Sequence, residues 1–340
     1  MDRITDRPLI HITEDTGPPL IGHTAFGIRT YGTNIIEVRP LTGCQLRCRH
    51  CYVAEGRNSE TRVTDYIIDD LDYLLRTVNW VAEHLGKKRL EAHLSAQGEV
   101  LLHPQIVEII MGLSEIRGID TVSMQTNGIS FSDQLLADLE EAGLARINLS
   151  LNSLNPEKAT WMAGTKKYEL EHVIQMAQCI ADSTLDLLLA PVLIPGVNEE
   201  DMSQIIQFAR TMGVSGRCPS LGIQKYLIYQ MGRRVPNTTP WSWEKFYQIL
   251  TSLERQTGYK PLVLTPKNFG IHPRRPIPIP FRKYEKVTVR LMHPGRVKGE
   301  FIASARNRAI QVINAQASIG SNVRVQIIRT RGNIFVAKQY

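Results

Sequence analysis

From Ile35 onward, short runs of β-branched and apolar residues alternate six times with amphipathic stretches. The runs are "IIEVRP" (35–40), "RLEAHLS" (89–95), "DTVSMQ" (120–125), "RINLSL" (146–151), "LDLLLAPVL" (185–193) and "LGIQKYLI" (221–228). Helical periodicity lies between them, near 65–85, 105–116, 131–142, 168–182 and 198–212, with a last stretch near 241–257. Parallel strands need a crossover connection, usually a helix, so six strand–helix units argue for a parallel sheet in an α/β fold. We expect a partial (β/α)6, TIM-like barrel over 35–260. Such a sheet carries its functional loops at the strand carboxyl ends, and the unusual residues of the sequence fall there.

The first of these loops is "LTGCQLRCRHCYVAEG" (41–56), which holds Cys44, Cys48 and Cys51 out of five cysteines in 340 residues. Three thiolates at i, i+4 and i+7 can converge on one object. Zinc normally takes four ligands, and His50, adjacent to Cys51, is badly placed to complete a tetrahedron. Cys179 lies within a predicted helix and reads as a small buried hydrophobe. Cys218, in "GRCPS", belongs to a loop and is the one candidate catalytic thiol. An iron–sulfur cubane with three thiolate-held irons and a fourth left open suits the set best; zinc, or a cluster serving only structure or electron transfer, remains as the alternative.

The C-x3-C-x2-C loop after the first strand, with a ring at position 50 before the last cysteine, resembles the radical S-adenosylmethionine (SAM) superfamily. "QGEV" (97–100) resembles that family's Gly-Gly-Glu-Pro element, departing from it at Gln97 and Val100. "QTNG" (125–128), "SLNS" (150–153) and "PVLIPGVN" (191–198) resemble the segments after the third, fourth and fifth strands. The resemblance implies a [4Fe–4S] cluster on Cys44, Cys48 and Cys51 whose open iron chelates SAM. It implies Gln97, Gly98 and Glu99 around the methionine amino group, and His50 and Tyr52 beside the last ligand or the adenine. Thr126 and Asn127 follow the third strand; Ser150 or Asn152 would meet ribose, and the backbone of Val192 or Gly222 the adenine edge. The implied reaction is reductive cleavage of SAM to a 5′-deoxyadenosyl radical, fed by an electron donor such as ferredoxin or flavodoxin. Plainer readings stand beside these. Glu99 at a strand end can simply pair a neighbouring base, and Asn127-Gly128 is a turn signal in its own right.

The two ends differ from the middle. Residues 1–34 read as an irregular arm or short hairpin. Pro273, Pro276, Pro278 and Pro280 exclude helix and central strand, so 261–280 reads as a linker. Residues 281–340 hold five short strand-like runs, the pattern of a small β-barrel. They also hold twelve Lys and Arg against two Glu, a net +10, which leaves the other 280 residues at −3 within a total of +7. "PGRVKGE" and "IGSNVRVQII" make this segment similar to a TRAM domain, a TRAM/OB-like barrel of RNA-modifying enzymes, here of archaeal type. That resemblance implies an RNA partner, tRNA or rRNA, met by Arg282, Lys283, Arg296, Lys298, Arg306, Arg308, Arg329 and Arg331, with Tyr284, Phe301 and Phe335 as stacking surfaces. "GRR" (232–234) and "HPRRP" (272–276) read as solvated basic loops.

No apolar run approaches the roughly 18 residues of a membrane span, and no leader pattern opens the chain. The expected location is cytoplasmic. Methylthiotransferases join radical SAM and TRAM domains but add three further cysteines, which are missing here. The expected function is therefore radical modification of an RNA nucleotide. Modification of a peptide or protein side chain is the alternative, and a non-catalytic RNA-binding iron–sulfur protein the third reading.

Overall fold

The computed structural model describes residues 4–213 and 217–340. The elements run β1 (Leu9–Ile12), β2 (Gly27–Thr30), β3 (Ile35–Arg39), β4 (Thr42–Gly43), β5 (Asp65–Ile68), α1 (Leu71–His84), β6 (Leu90–Leu94), β7 (Gln97–Gly98) and α2 (Ile106–Glu115). They continue with β8 (Ile119–Thr126), α3 (Asp133–Glu141), β9 (Arg146–Leu149), α4 (Pro156–Ala163), α5 (Leu170–Asp182), β10 (Asp186–Leu189), β11 (Val192–Leu193), α6 (Asp201–Thr211), β12 (Gln224–Lys225) and α7 (Trp243–Thr257). Five strands close the sequence: β13 (Lys286–Pro294), β14 (Glu300–Ala305), β15 (Arg308–Ile313), β16 (Asn322–Arg329) and β17 (Val336–Gln339). The fold is α/β, with strand–helix alternation as the sequence predicts apart from the departures below.

The chain divides into two compact units: residues 1–45, 56–122 and 273–340 form the first, and 46–55 with 123–272 the second. The expected segments 35–260 and 281–340 do not coincide with these units, since the barrel shares a unit with the N-terminal arm.

In the first unit β3 pairs in parallel with β6, and antiparallel with β2. Alternation sorts the side chains. Ile36, Val38, Ala92 and Leu94 are fully buried on one face, while Glu37, Arg39, Glu91 and Ser95 occupy the other. The stretch near 65–85 is not one helix. "DYII" forms β5, parallel to β1, and α1 starts only at Asp70, whose carboxylate caps the Tyr73 N–H.

The last five strands form a closed barrel in the order β13-β14-β15-β17-β16. Val289, Leu291, Ile310, Val312, Val325, Ile327 and Phe335 fill its interior. The arm packs on it, with the Ala309 N–H donating to Ile21 O (2.8 Å) and the Phe335 N–H to Gly22 O (3.0 Å).

In the second unit β8, β9 and β10 run parallel in register, Ser123 against Arg146 and Arg146 against Asp186. The fifth run breaks in two at Pro191, which has no N–H for the ladder. With so short a partner, the sixth run shrinks to β12, paired with β11 over two residues. A helix absent from the sequence pattern, α4, is capped by Asn155 with Pro156 at its first turn.

Candidate active site

The candidate residues are divided between the two units. In the first, Thr42 and Gly43 of β4 run parallel to Gln97 and Gly98 of β7, directly before Cys44. Gly98 has φ +153°, and a Cβ there would lie 1.8 Å from Gly43 O. Only glycine lets the two strands meet this closely. The Glu99 N–H donates to Gly43 O (2.9 Å), so the Gln97–Glu99 segment and the strand leading into Cys44 are zipped together. Gln97 is 7% exposed and Glu99 2%; one Glu99 carboxylate oxygen accepts the Leu101 N–H at 3.1 Å, capping the next turn.

Behind β4 lies a buried ionic junction. Asp65 accepts from Thr5 (2.6 Å), from Arg7 Nε (2.9 Å) and Nη2 (3.1 Å), and from Thr42 Oγ1 (2.9 Å). Arg296 of the barrel completes it, with an ion pair to Asp65 and bonds to Thr42 Oγ1 (2.7 Å) and Thr64 O (2.9 Å). Arg296 is 2% exposed. The sequence puts it on an RNA-facing surface; the fold corrects this, because Arg296 anchors the barrel beside the strand leading into Cys44. Glu37 binds Ser95, Tyr31 and Arg39; burial opposes its ionisation, but Arg39 and Arg29 outweigh it and hold the carboxyl at about 2.

In the second unit the chain from Leu46 to Glu55 is fixed from two sides. On one side is the end of α4: the Arg47 N–H donates to Ala163 O (3.0 Å), the Arg49 N–H to Met162 O (2.9 Å), and Arg49 Nε to Trp161 O (3.0 Å). On the other is Arg233. Its N–H donates to Cys51 O (2.8 Å) and its guanidinium to Cys48 O (3.2 Å), Ala54 O (3.3 Å) and Glu55 O. In the sequence Arg233 reads only as part of a solvated basic loop; its one signal is the preceding Gly232, where a Cβ would sit 2.8 Å from Tyr52 O.

His50 keeps a buried Nδ1 without a hydrogen-bond partner, and burial lowers its pKa to about 4. Tyr52 is exposed and meets Tyr229 edge-on at 5.8 Å. Burial, then the neighbouring Cys48 charge, pushes the Tyr168 hydroxyl up.

The residues expected around SAM in this unit are tied to one another. The Ser150 N–H donates to Thr126 O (2.9 Å), and Ser150 Oγ accepts from Gln125 (2.9 Å). Asn152 Oδ1 accepts the Val192 N–H (2.8 Å). Asn198, 0% exposed and the last residue of the segment 191–198, donates to Asn152 O (2.8 Å) and Val192 O (3.0 Å) and accepts from the Ile194 N–H (2.8 Å). Thr126 Oγ1 and Asn127 Oδ1 accept N–H groups two residues on, the turn chemistry of their sequence. The Gly222 N–H donates to Leu189 O (2.8 Å). Cys218 is elsewhere. It precedes Leu221, which bridges Leu189 at the end of β10, so it lies at the amino end of these strands, away from the loops carrying Ser150 and Asn152.

On the barrel, Arg282, Lys283, Lys298, Arg306, Arg329 and Arg331 are exposed, but Arg308 is buried and bonded to Asn307 O (2.8 Å) and Pro278 O (3.1 Å). Phe335 belongs to the barrel core and Phe301 packs against it; Tyr284, 62% exposed, is the one of the three expected rings that is open.

Among the described residues no disulfide ties the five cysteines. Cys44 is buried and Cys48 and Cys51 are half-buried on one eight-residue loop, and Cys51 Sγ accepts the Glu55 N–H at 3.4 Å. A sulfur-only donor set on a loop with a backbone N–H turned toward one sulfur fits an iron–sulfur cluster. The Radical SAM superfamily model matches residues 38–209. The chain belongs to the radical SAM superfamily, whose members bind a [4Fe–4S] cluster and SAM. An uncharacterized protein of Methanocaldococcus jannaschii, MJ0103, is 40% identical over 356 aligned residues, covering 99% of this chain and 82% of that one. The GTP 3′,8-cyclase of Crocosphaera subtropica is 33% identical over 180 residues, 51% of this chain and 50% of its own length. Among solved structures, a cysteine-to-alanine mutant of spore photoproduct lyase superposes with TM-score 0.52 at 12% identity, covering 73% of this chain and 79% of that one. Streptococcus suis SuiB gives TM-score 0.52 at 13% identity, covering 65% and 46%. These last two likenesses concern the fold alone. Among the described residues no helix is long and apolar enough to cross a membrane.

Proposed function

We propose that this radical SAM enzyme modifies a nucleotide of a folded RNA, tRNA or rRNA, in the cytoplasm, with a ferredoxin- or flavodoxin-like protein as electron donor. The observation that carries the RNA reading is the outer face of the barrel. Alternation on β13 turns Lys286, Thr288 and Arg290 outward. Register sets Lys286, Gln326 and Lys338 abreast on three strands, with Thr288 beside Arg324 and Arg290 beside Asn322. The Lys286 ammonium stands 4.6 Å from the centre of the exposed Tyr340 ring. No acidic residue occupies an outward position on these strands. Cations interleaved with an accessible ring suit a phosphate backbone and its bases, and a TRAM-like barrel would present them.

Cys44, Cys48 and Cys51 would hold the cluster, and the zipped Gln97–Glu99 segment would take the methionine end of SAM. When bound, the two together supply a 5′-deoxyadenosyl radical by one-electron cleavage of a carbon–sulfur bond. The protein's own part is to position these groups and exclude water. The test is anaerobic incubation with reductant, SAM and bulk RNA, followed by mass spectrometry of 5′-deoxyadenosine and of the RNA nucleosides. A new nucleoside that fails to form with the Cys48→Ala variant supports the reading. SAM cleavage that no RNA stimulates, together with RNA binding that ignores salt, would overturn it.

A further inference from the structure

We propose that Arg233 is a positioning residue for the cluster: it holds the cysteine loop in its ligating form and, through the Ala54–Glu55 peptide, sets the cluster's reduction potential. This goes beyond the choice of substrate and depends only on the loop's holding a cluster.

One side chain and its own backbone N–H reach four carbonyls, those of Cys48, Cys51, Ala54 and Glu55. A trans peptide points its N–H opposite its C=O. The Ala54 carbonyl turned to Arg233 therefore sends the Glu55 N–H the other way, and that N–H is the donor to Cys51 Sγ at 3.4 Å. A guanidinium on one end of a peptide polarises it and strengthens the donor at the other end. Hydrogen bonds to cluster sulfurs and nearby positive charge both favour the reduced, more negative state and raise the potential.

Arg233 itself is held in place. The Val235 N–H donates to Tyr226 Oη at 2.9 Å, and Tyr226 and Val235 are packed with Met162 and Ile194 in one buried cluster. Met162 is also the residue whose carbonyl holds Arg49 from the other side. The loop is thus gripped from two sides by groups that share one small core. Gly232 lets the clamp close, since a Cβ there would stand 2.8 Å from Tyr52 O and 3.0 Å from Cys51 O.

The test compares Arg233→Met, Arg233→Lys and Gly232→Ala with the wild type, using the exposed neighbour Arg234→Met as control. Each is reconstituted anaerobically, challenged with an iron chelator, and titrated redox-potentiometrically by electron paramagnetic resonance. Arg233→Met and Gly232→Ala should lose iron with about tenfold or more weaker retention, the usual cost of removing a group that orients a ligand. Their midpoint potential should fall by an amount that makes electron acceptance roughly tenfold less favourable, about 59 mV for one electron. Arg233→Lys keeps the charge but cannot span the carbonyls, so it should recover part of the potential and little of the iron retention. Should Arg233→Met not fold, Gly232→Ala displaces the same clamp with the arginine still present. Iron retention and midpoint potential equal to those of wild type in the soluble variants would overturn the proposal.

Discussion

Asp65→Asn tests the buried junction with the smallest possible change of shape. Asp65 is 0% exposed and neutralises Arg7 and Arg296, whose side chains are 8% and 3% exposed. The substitution leaves one acceptor oxygen and turns an NH2 group toward donors. Two guanidiniums in a poorly solvated place lose their counter-charge. Removing one partner of a buried pair costs about 3–5 kcal/mol, a large part of a typical stability of about 5–15 kcal/mol. Arg296→Met should cost less, about 1.5–3 kcal/mol, the worth of hydrogen bonds to a charged group, because Asp65 keeps Arg7. In Asp65→Asn/Arg296→Met the second change removes a charge already stranded, so the double variant should be more stable than additivity predicts by at least about 1 kcal/mol. Urea unfolding gives the energies, and hydrogen exchange read by mass spectrometry over 63–68 localises them. Additivity within about 0.5 kcal/mol, or a negligible effect of Asp65→Asn, would refute the reasoning.

Burial, then Arg296, Arg39 and Arg29, lowers the His23 pKa from 6.5 to about 3. The unfolded chain therefore takes up a proton between these values that the folded one refuses. This contribution to stability is complete above pH 6.5 and is lost as pH falls toward 3, at about 1.4 kcal/mol per pH unit; His23→Gln should remove that slope from denaturation measured between pH 6 and 4, and an unchanged slope would count against it. Gly98→Ala places a Cβ on Gly43 O; it should cost about 2 kcal/mol or more and weaken SAM binding by calorimetry, whereas wild-type affinity would argue that the zipper is irrelevant to the cofactor. Asn198→Ala strands three buried bonds and should cost about 2–4 kcal/mol, seen in thermal unfolding, a loss too large for a surface position. Converting Lys286, Arg290, Arg324 and Lys338 to Gln should flatten the log–log salt dependence of RNA binding by about 0.7–0.9 per lost contact; an unaltered slope would place RNA elsewhere.

Local pattern is enough for much of the fold. The helices at 106–115, 133–141, 170–182 and 201–211 and the five barrel strands lie within a few residues of their periodicities, because each buries one face of its own. The cysteine loop is legible for a different reason: Cys44, Cys48 and Cys51 are close in sequence. What escapes the sequence depends on distant partners. Arg296 and Arg308 look like any surface cation of a basic segment, and nothing local says that Asp65, 231 residues away, takes one of them inside. Arg233 stands 185 residues from the Cys48 carbonyl it binds. "DYII" reads as part of the following helix because aromatic and branched residues at 65–68 share an apolar face with Leu71 and Leu74; pairing with β1 decides the matter. The sixth strand is cut short by a neighbour's proline.

The Asp65 junction also has a consequence for the order of synthesis. Its partners are Arg7, made first, and Arg296, made 231 residues after the aspartate. At about 5–20 residues per second, the ribosome keeps the nascent chain waiting roughly ten to fifty seconds with a carboxylate destined for burial and only one of its cations. The strand leading into Cys44 bonds to the same arginine through Thr42, so its final seating belongs to the end of translation. A chain interrupted before the barrel would lack the cation that completes this junction. It would reach the iron-loading stage with the strand before Cys44 unsecured.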